Sequence, residues 1–533
     1  MAPTLSVLAE LTGGRIVGTG AGDPAETTVP SASIDARSVE PGGMFMAVAG
    51  THAHGAGYAG QSEGSSVLTD EQGLEILQDA GSPVAVLVVD DPRAWLGPVS
   101  AEIHGHPSRD MTVIGVTGTS GKTTTSYMIE QALLADHSVG LIGTTGTRIN
   151  GRSVPTTLTT PEAPTLQGLF DRMRDEGVTH VVMEVSSHAL VLGRVRGVDF
   201  DVAAFTNLSQ DHLDFHPTME DYFAAKSLLF TEPQDPGRNL PRSVVCIDDE
   251  WGRGLASSLE SLKAPETVSA RPGDTETPWA SWQVEKVTVG SDGCQHISVR
   301  HSTEANSGGT PETLDAAVRL PGAFNVANAT VALACVQAAG VDAAAAAARL
   351  IDVRVPGRMQ PVTGTEAQNF LAVVDYAHKP AAVAAALDTL VDQRDRIGEG
   401  GRIAIVLGAG GNRDHEKRPL MGRAAAQRAD AVFITDDNPR DEVPETIRAE
   451  MLDGARQGAE TRRSDGGPPV ELHEVGDRAD AIRAAVTWAG RGDIVIVAGK
   501  GHETGQIVGD TVIDFDDAAE LARAIEERQE PKR

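Results

Sequence analysis

The sequence predicts an α/β protein of three domains: a small N-terminal α/β domain (residues 1–108), a central P-loop domain on a parallel sheet (109–356) and a C-terminal Rossmann-like α/β domain (357–533). Three observations lead there. The chain has 533 residues, too many for one hydrophobic core at about 150 residues per domain. Short β-branched runs recur along it, each ending in a polar or charged loop, as buried parallel strands do where they feed ligand-binding loops. And residues 111–128 read as strand, glycine loop, Lys-Thr and helix.

Composition narrows the function. Lys and Arg number 45 against 75 Asp and Glu, a net charge of −30. Such a chain repels polyanions, so no nucleic-acid partner is expected. The acidic residues are spread along the chain, as on a solvated surface. Cys246, Cys294 and Cys335 are far apart, odd in number and without metal-ligand spacing, which fits a reducing compartment. No run reaches the ~18 apolar residues of a membrane span, and no basic-then-apolar leader opens the chain. A cytoplasmic protein without membrane insertion is expected.

In the N-terminal domain, residues 84–89 form a buried strand, preceded by glycine- and histidine-bearing loops at 31–37, 41–50 and 51–55. The central domain opens with Val113, Ile114 and Val116, a β-branched run suited to a buried strand. Gly118 and Gly121 allow a loop whose amides converge on an anion, and Tyr127, Ile129, Leu133 and Leu134 continue as a helix. Gly118, Thr119, Ser120, Gly121, Lys122, Thr123 and Thr124 are therefore candidate nucleotide ligands. Lys122 would reach the β/γ-phosphates and the Thr123 hydroxyl would hold Mg²⁺. A strict G-x-x-x-x-G-K-[ST] pattern needs glycine where this chain has Val116.

Strands at 178–184 and 202–206 end on Glu184 and on the loop bearing Asp211, His212, Asp214 and His216. Residues 244–248 look like another strand. The polar stretch 262–316 has alternating segments, 282–289 and 296–300, that suggest a peripheral antiparallel excursion. Asn325 and Asn328 open a helix, and 343–348 is an alanine-rich one. In the third domain, strand 402–407 runs into Gly408–Arg413, which lacks the last glycine of a dinucleotide fingerprint, so a dinucleotide site is rejected. Strand 431–435 leads to Asp437-Asn438-Pro439-Arg440 and strand 494–498 to Gly499-Lys500-Gly501-His502-Glu503. An acidic amphipathic helix closes the chain at about 517–527.

With residues 118–124, Glu184–His188, Asp211–His216, Tyr222–Lys226, Asp375–Pro380 and Asp437–Arg440 all in order, the chain resembles the Mur ligases over about residues 31–508, and among them the diaminopimelate-adding members. The resemblance implies ATP-dependent amide formation on a UDP-muramoyl dipeptide in peptidoglycan precursor synthesis. The dipeptide's free carboxylate would take the γ-phosphoryl group of ATP as an acyl phosphate, and the amine of the incoming amino acid would displace phosphate.

By the same resemblance Lys122, Glu184, His212 and Lys226 are catalytic. Thr123, Glu184, His212 and Lys226 (as a carbamate) hold Mg²⁺, and Asn325, Arg358 and Asp375 contact the nucleotide. Asp375 would accept from ribose and Arg358 stack on adenine. The muramoyl substrate falls to Ile34, Ala36, Thr51, His52, Ala53, Thr159, Thr160, Ser186 and Arg194. Diaminopimelate falls to Arg413, Asp437, Asn438, Pro439, Arg440, Gly499 and Glu503, with Arg440 opposite the carboxylate that lysine lacks. Two departures stand out: Ala36 replaces the usual serine, with Ser33 nearby, and Leu192 stands where some members have glutamine. The partners expected are these small molecules, with closure of the domains around them, and the protein is expected to be a monomer. A lysine-adding ligase, a folate-type ligase and a P-loop phosphotransferase forming no amide are the alternatives.

Overall fold

The computed structural model describes residues 2–18, 23–82, 84–156, 158–212, 215–290, 294–302, 312–364, 368–397, 400–412 and 414–529, the side chains of 396, 397 and 529 excepted. The described chain divides into two compact units. One comprises Met1–Lys286, Ser298–Asp315 and Ala327–Leu350; the other comprises Val287–Ile297, Ala316–Val326 and Ile351–Arg533.

The first unit opens with a five-stranded sheet of β1 (Arg15–Val17), β2 (Ala32–Ser33), β3 (Met44–Met46), β4 (Ser66–Thr69) and β5 (Ala85–Val88), in the order β1-β5-β4-β3-β2. The apolar run that predicts β5 is buried on both faces: Ala85 and Leu87 enter one core, Val86 and Val88 the other. An uninterrupted rather than alternating pattern is what such a strand needs.

An eleven-stranded sheet follows. Its strands are β6 (Thr112–Thr117), β7 (Val139–Gly143), β8 (Gly146–Ile149), β9 (Arg152–Val154), β10 (His180–Glu184), β11 (Val202–Phe205), β12 (Arg242–Cys246), β13 (Glu266–Ser269), β14 (Trp282–Val289), β15 (Gln295–His301) and β16 (Glu312–Val318). The order is β16-β15-β14-β13-β12-β11-β6-β10-β7-β8-β9, so β6 lies between β10 and β11, parallel to both. The sheet order reverses there, and such switch points are where open α/β sheets bind ligands. The polar stretch expected as an antiparallel excursion lies at the edge of this sheet, where β14 and β15 form a hairpin with Gly290 N donating to Cys294 O and Ser302 N to Ser281 O. β13 pairs with β14 in parallel, Val268 opposite Trp282. Trp282 is fully buried and stacked on His301 at 4.0 Å, an apolar anchor that the polar composition around it conceals.

The second unit holds β17 (Gln360–Pro361), β18 (Leu371–Asp375), β19 (Ile403–Leu407), β20 (Ala431–Ile434), β21 (Glu471–Glu474) and β22 (Ile494–Ala498), ordered β17-β18-β22-β19-β20-β21, and a ribbon of β23 (Gly505–Val508) and β24 (Thr511–Asp514). Along β19, Ile403, Ile405 and Leu407 enter one core while Ala404 and Val406 enter the other. Each large aliphatic side chain so buried contributes about 1.5–3 kcal/mol. No helix among the described residues is long and apolar enough to cross a membrane, and all three cysteines are buried and outside any disulfide.

Candidate functional site

In the first unit the glycine loop leaves β6 at Gly118. Val116, the departure from the strict pattern, is still inside the strand, opposite Glu184 of β10 and Ala204 of β11. The loop is therefore shorter than the pattern assumes, and no glycine is needed at 116. Gly118 has φ 143°, and a Cβ there would lie 2.0 Å from Thr206 Oγ1. Gly121, at φ 88°, precedes the helix Lys122–Leu133, which starts without a side-chain cap; a Cβ on it would lie 2.4 Å from Asn328 Oδ1. Asn207 fastens the loop. Its backbone oxygen accepts from Thr119 N at 2.9 Å, its Oδ1 from Ser120 N at 3.0 Å, and its Nδ2 donates to Ser120 O at 3.0 Å. The uncapped helix start leaves backbone N–H groups and the positive end of the helix dipole at the loop, an arrangement suited to phosphate.

Two lysines meet over this loop. Lys122 Nζ donates to Gly118 O at 3.0 Å and to Thr119 O at 3.1 Å. Lys226, on the helix Met219–Thr231, donates to the same Gly118 oxygen at 2.9 Å and lies 4.5 Å from the centre of the Tyr222 ring. Lys226 is 1% exposed. Burial first, and then the Lys122 charge, push its amine well below the usual lysine range, with Asp211 opposing. The Tyr222 hydroxyl accepts from Thr119 Oγ1 at 3.3 Å and is pushed up to about 12 by burial.

Glu184 is also 1% exposed, with Oε1 accepting from Thr144 N at 2.9 Å and Oε2 from Thr144 Oγ1 at 3.0 Å. Thr123 is buried in the first turn of the loop helix. His212 is exposed, has φ 52°, and places its ring 5.0 Å from His188 and Nε2 3.5 Å from Asp211 Oδ2. The hydroxyl and the carboxylate are oxygen donors that fit Mg²⁺, whereas the imidazole is a softer donor than Mg²⁺ ordinarily takes. Among the described residues no group of three or more His, Cys, Asp or Glu side chains is placed to hold a metal alone. An ion here would take nucleotide or water oxygens as well, as Mg²⁺ ordinarily does.

Next to Glu184 lie four of the residues expected at the muramoyl substrate. Thr159 Oγ1 is 3.1 Å from Thr144 Oγ1, and Thr160 Oγ1 donates to Glu184 O at 2.8 Å and accepts from Ser186 N at 3.2 Å. Arg194 donates to Thr160 O at 3.3 Å and pairs with Glu162 at 2.8 Å. Ser186 Oγ caps the helix Ser187–Val191 by accepting from Ala189 N. In the N-terminal sheet region, Ile34 is half-buried and Ala36 is buried in the turn Ala36–Ser38, which the Asp35 carboxylate caps by accepting from Arg37 N. Ser33 Oγ is engaged with the backbone of Asp35. Thr51, His52 and Ala53 form an exposed turn closed by Gly50 N donating to Ala53 O.

The second unit gathers another set. Asn325 is buried, its Nδ2 donating to Pro321 O at 2.8 Å. The Arg358 guanidinium lies 4.6 Å from the centre of the Tyr376 ring, so a protein aromatic already covers one of its faces. Asp375 accepts from Met359 N and Ala377 N, both at 2.8 Å, and burial raises its carboxyl against the pull of Arg358. At the ends of β20 and β22, Asp437 is paired with Lys500 at 3.0 Å and Asn438 Nδ2 donates to Glu503 Oε2 at 3.3 Å. Burial works to raise the Asp437 carboxyl, but Lys500 and Arg478 outweigh it and hold it low; Glu503 is raised by burial and by Asp437. Arg440, at φ 52°, donates to Gly411 O at 2.8 Å. Pro439 is buried, its oxygen 1.9 Å from where a Cβ on Gly411 would sit, and Gly499, at φ 117°, donates to Asp375 O at 3.2 Å. Arg413 lies outside the described residues.

Sequence reasoning gave no role to Asn207, Thr144, Tyr222, Asn328 or Lys500. Asn207 could have been found, since it ends the predicted strand 202–206. Asn328 could not: its Oδ1 accepts from Thr125 Oγ1 at 3.3 Å across 203 residues of sequence.

Residues 116–336 match the Mur ligase middle domain and residues 357–501 the Mur ligase, glutamate ligase domain. The UDP-N-acetylmuramoyl-L-alanyl-D-glutamate–2,6-diaminopimelate ligase of Corynebacterium glutamicum is 52% identical over 530 residues, 98% of this chain and 97% of that protein. Its namesake in Streptomyces coelicolor is 46% identical over 499 residues, 93% and 92% of the two chains. A solved structure of a ligase with this name superposes with a TM-score of 0.65 at 28% identity over the whole of both chains. Folylpolyglutamate synthase of Mycobacterium tuberculosis shares the fold at a TM-score of 0.58 and 18% identity, over 77% of this chain and 93% of that one.

Proposed function

The chain belongs to the Mur ligase family, and we propose that it is the ATP-dependent ligase that joins meso-2,6-diaminopimelate to UDP-N-acetylmuramoyl-L-alanyl-D-glutamate in cytoplasmic peptidoglycan precursor synthesis. The observation that carries this reading is the meeting of Lys122 and Lys226 on Gly118 O at an uncapped helix start. A site for joining anionic partners needs fixed positive charge and backbone donors more than it needs a nucleophile.

On this reading the loop amides and Lys122 hold the ATP phosphates while the dipeptide carboxylate takes the γ-phosphoryl group. Bound Mg²⁺ supplies charge neutralisation on the transferring oxygens, with Thr123, Glu184, His212 and carbamylated Lys226 as its protein ligands. Burial and the Lys122 charge favour loss of the Lys226 proton, and the neutral amine is the form that adds to CO₂ to give a carbamate and release a proton. Thr159, Thr160, Ser186 and Arg194, with Ile34, Ala36 and the turn 51–53, take the muramoyl substrate; Asn325, Arg358 and Asp375 take the nucleoside end of ATP. For the acceptor, Arg440 and Arg413 face carboxylate, Asp437 and Glu503 face ammonium, and Asn438, Pro439 and Gly499 complete the contact. The protein acts as a monomer on small molecules.

Phosphate release from ATP with the UDP-muramoyl dipeptide, with and without an acceptor, tests the reading. Release dependent on diaminopimelate is expected. Release at the same rate with no amino acid would mean a phosphotransferase, and dependence on L-lysine a lysine-adding ligase.

A further inference from the structure

The loop Asp437–Arg440 and the turn after β22 are tied together by a side chain that has no part in the reading above. Lys500 is 0% exposed. Its ammonium donates to Asn438 Oδ1 and to Gly505 O, both at 2.8 Å, and lies 3.0 Å from Asp437 Oδ1. Two hydrogen bonds and an ion pair thus hold the ammonium against two segments, 437–438 and Gly505, the kind of pairing that an interior ammonium requires.

The consequence falls on Asn438. Its Oδ1 accepts from Lys500 Nζ and also from Ile507 N at 3.0 Å. Lys500 carries donors only, as does the Ile507 amide, so the asparagine oxygen has to face them and the amide cannot turn over. Both strong acceptor positions of that oxygen are then occupied by the protein. The Nδ2 edge is left as the donor edge, and it reaches Glu503 Oε2.

We propose that Lys500 is a positioning residue for acceptor recognition: by holding Asn438 through its oxygen, it makes that side chain a pure hydrogen-bond donor, matched to a carboxylate of the incoming amino acid and not to its ammonium. The inference rests on the acceptor site proposed above and adds to it the residue that fixes its polarity. Lys500→Met keeps the length of the side chain and removes its donors. With one of the two donors to Asn438 Oδ1 gone and only Ile507 N left to hold it, the KM for diaminopimelate should rise at least ~10-fold while kcat and the KM for ATP stay within about threefold.

Asn438→Asp is the second variant. It keeps an acceptor for Lys500 and Ile507, so the loop stays tied, and replaces the Nδ2 donor, with its bond to Glu503, by an anion. The KM for diaminopimelate should rise by a similar factor, and this variant is decisive alone if Lys500→Met does not fold. A diaminopimelate KM within about twofold of wild type in a folded Lys500→Met, or in Asn438→Asp, overturns the proposal. Wild-type protein with no acceptor-dependent turnover would remove the proposed function and this inference with it. Normal wild-type turnover with unaffected variants removes the inference alone.

Discussion

Lys122 and Lys226 donate to one carbonyl oxygen, that of Gly118, at 3.0 and 2.9 Å. Two ammonium groups so close repel one another, and Lys226, being buried, is the one whose proton is destabilised. If its amine is the precursor of a carbamate, Lys226→Ala should lose roughly 100-fold or more in kcat. Added short carboxylic acids should restore part of that loss, whereas added alkylamines should not. Unchanged turnover in the variant would remove Lys226 from the chemistry.

Glu130 gives a pH-dependent stability. It is buried on the loop helix, and burial pushes its carboxyl from 4.5 up to about 7 despite Arg148, whose Nε lies 3.3 Å away. A carboxyl raised in the folded state binds its proton more tightly there than in the unfolded chain. Its contribution is therefore fully present below about pH 4.5 and is lost as pH rises through about 7. Glu130→Gln should raise unfolding free energy at pH 8 by about 1–3 kcal/mol and leave it nearly unchanged at pH 4.5. Urea titrations at the two pH values check this; equal effects at both would contradict it.

Arg440 combines a guanidinium at the proposed acceptor site with a left-handed backbone, φ 52°. Arg440→Ala should lower kcat/KM for diaminopimelate by about 2–5 kcal/mol with little change in ATP binding. Arg440→Gly should lose as much activity yet be more stable than the alanine variant by about 1 kcal/mol, since glycine adopts that φ without a Cβ penalty. Steady-state kinetics and urea midpoints on the pair separate the two roles.

Gly118 is constrained twice, by φ 143° and by the 2.0 Å approach of Thr206 Oγ1 to a Cβ. Gly118→Ala should destabilise the protein by about 1–3 kcal/mol and raise the KM for ATP. Thr206→Ala in that background removes the clash but not the strain, so only part of the stability should return. Complete recovery would mean that the backbone conformation carries no cost.

How much of this was legible in the sequence depended on range. Continuous apolar runs such as 402–407 and 494–498 announce strands buried on both faces, and β19 and β22 are those strands. The loop 118–124 was legible because its glycines, lysine and threonines are contiguous. In the stretch 262–316 the alternation of the edge strands β15 and β16 was legible, whereas the parallel pairing of β13 with β14 was not, because a non-local partner and buried Trp282 set it. Lys500 was passed over for a similar reason: a lysine in a glycine-rich loop reads as solvated. Only the fold brings Asn438, 62 residues away in sequence, to its ammonium.

The most direct test of the central claim is the mass of the nucleotide product. Wild-type protein is incubated with ATP, Mg²⁺, UDP-N-acetylmuramoyl-L-alanyl-D-glutamate and equimolar meso-diaminopimelate and L-lysine. The expected product carries one diaminopimelate residue in amide linkage. ATP consumption that leaves the muramoyl nucleotide unchanged in mass, or that adds lysine instead, would contradict the account.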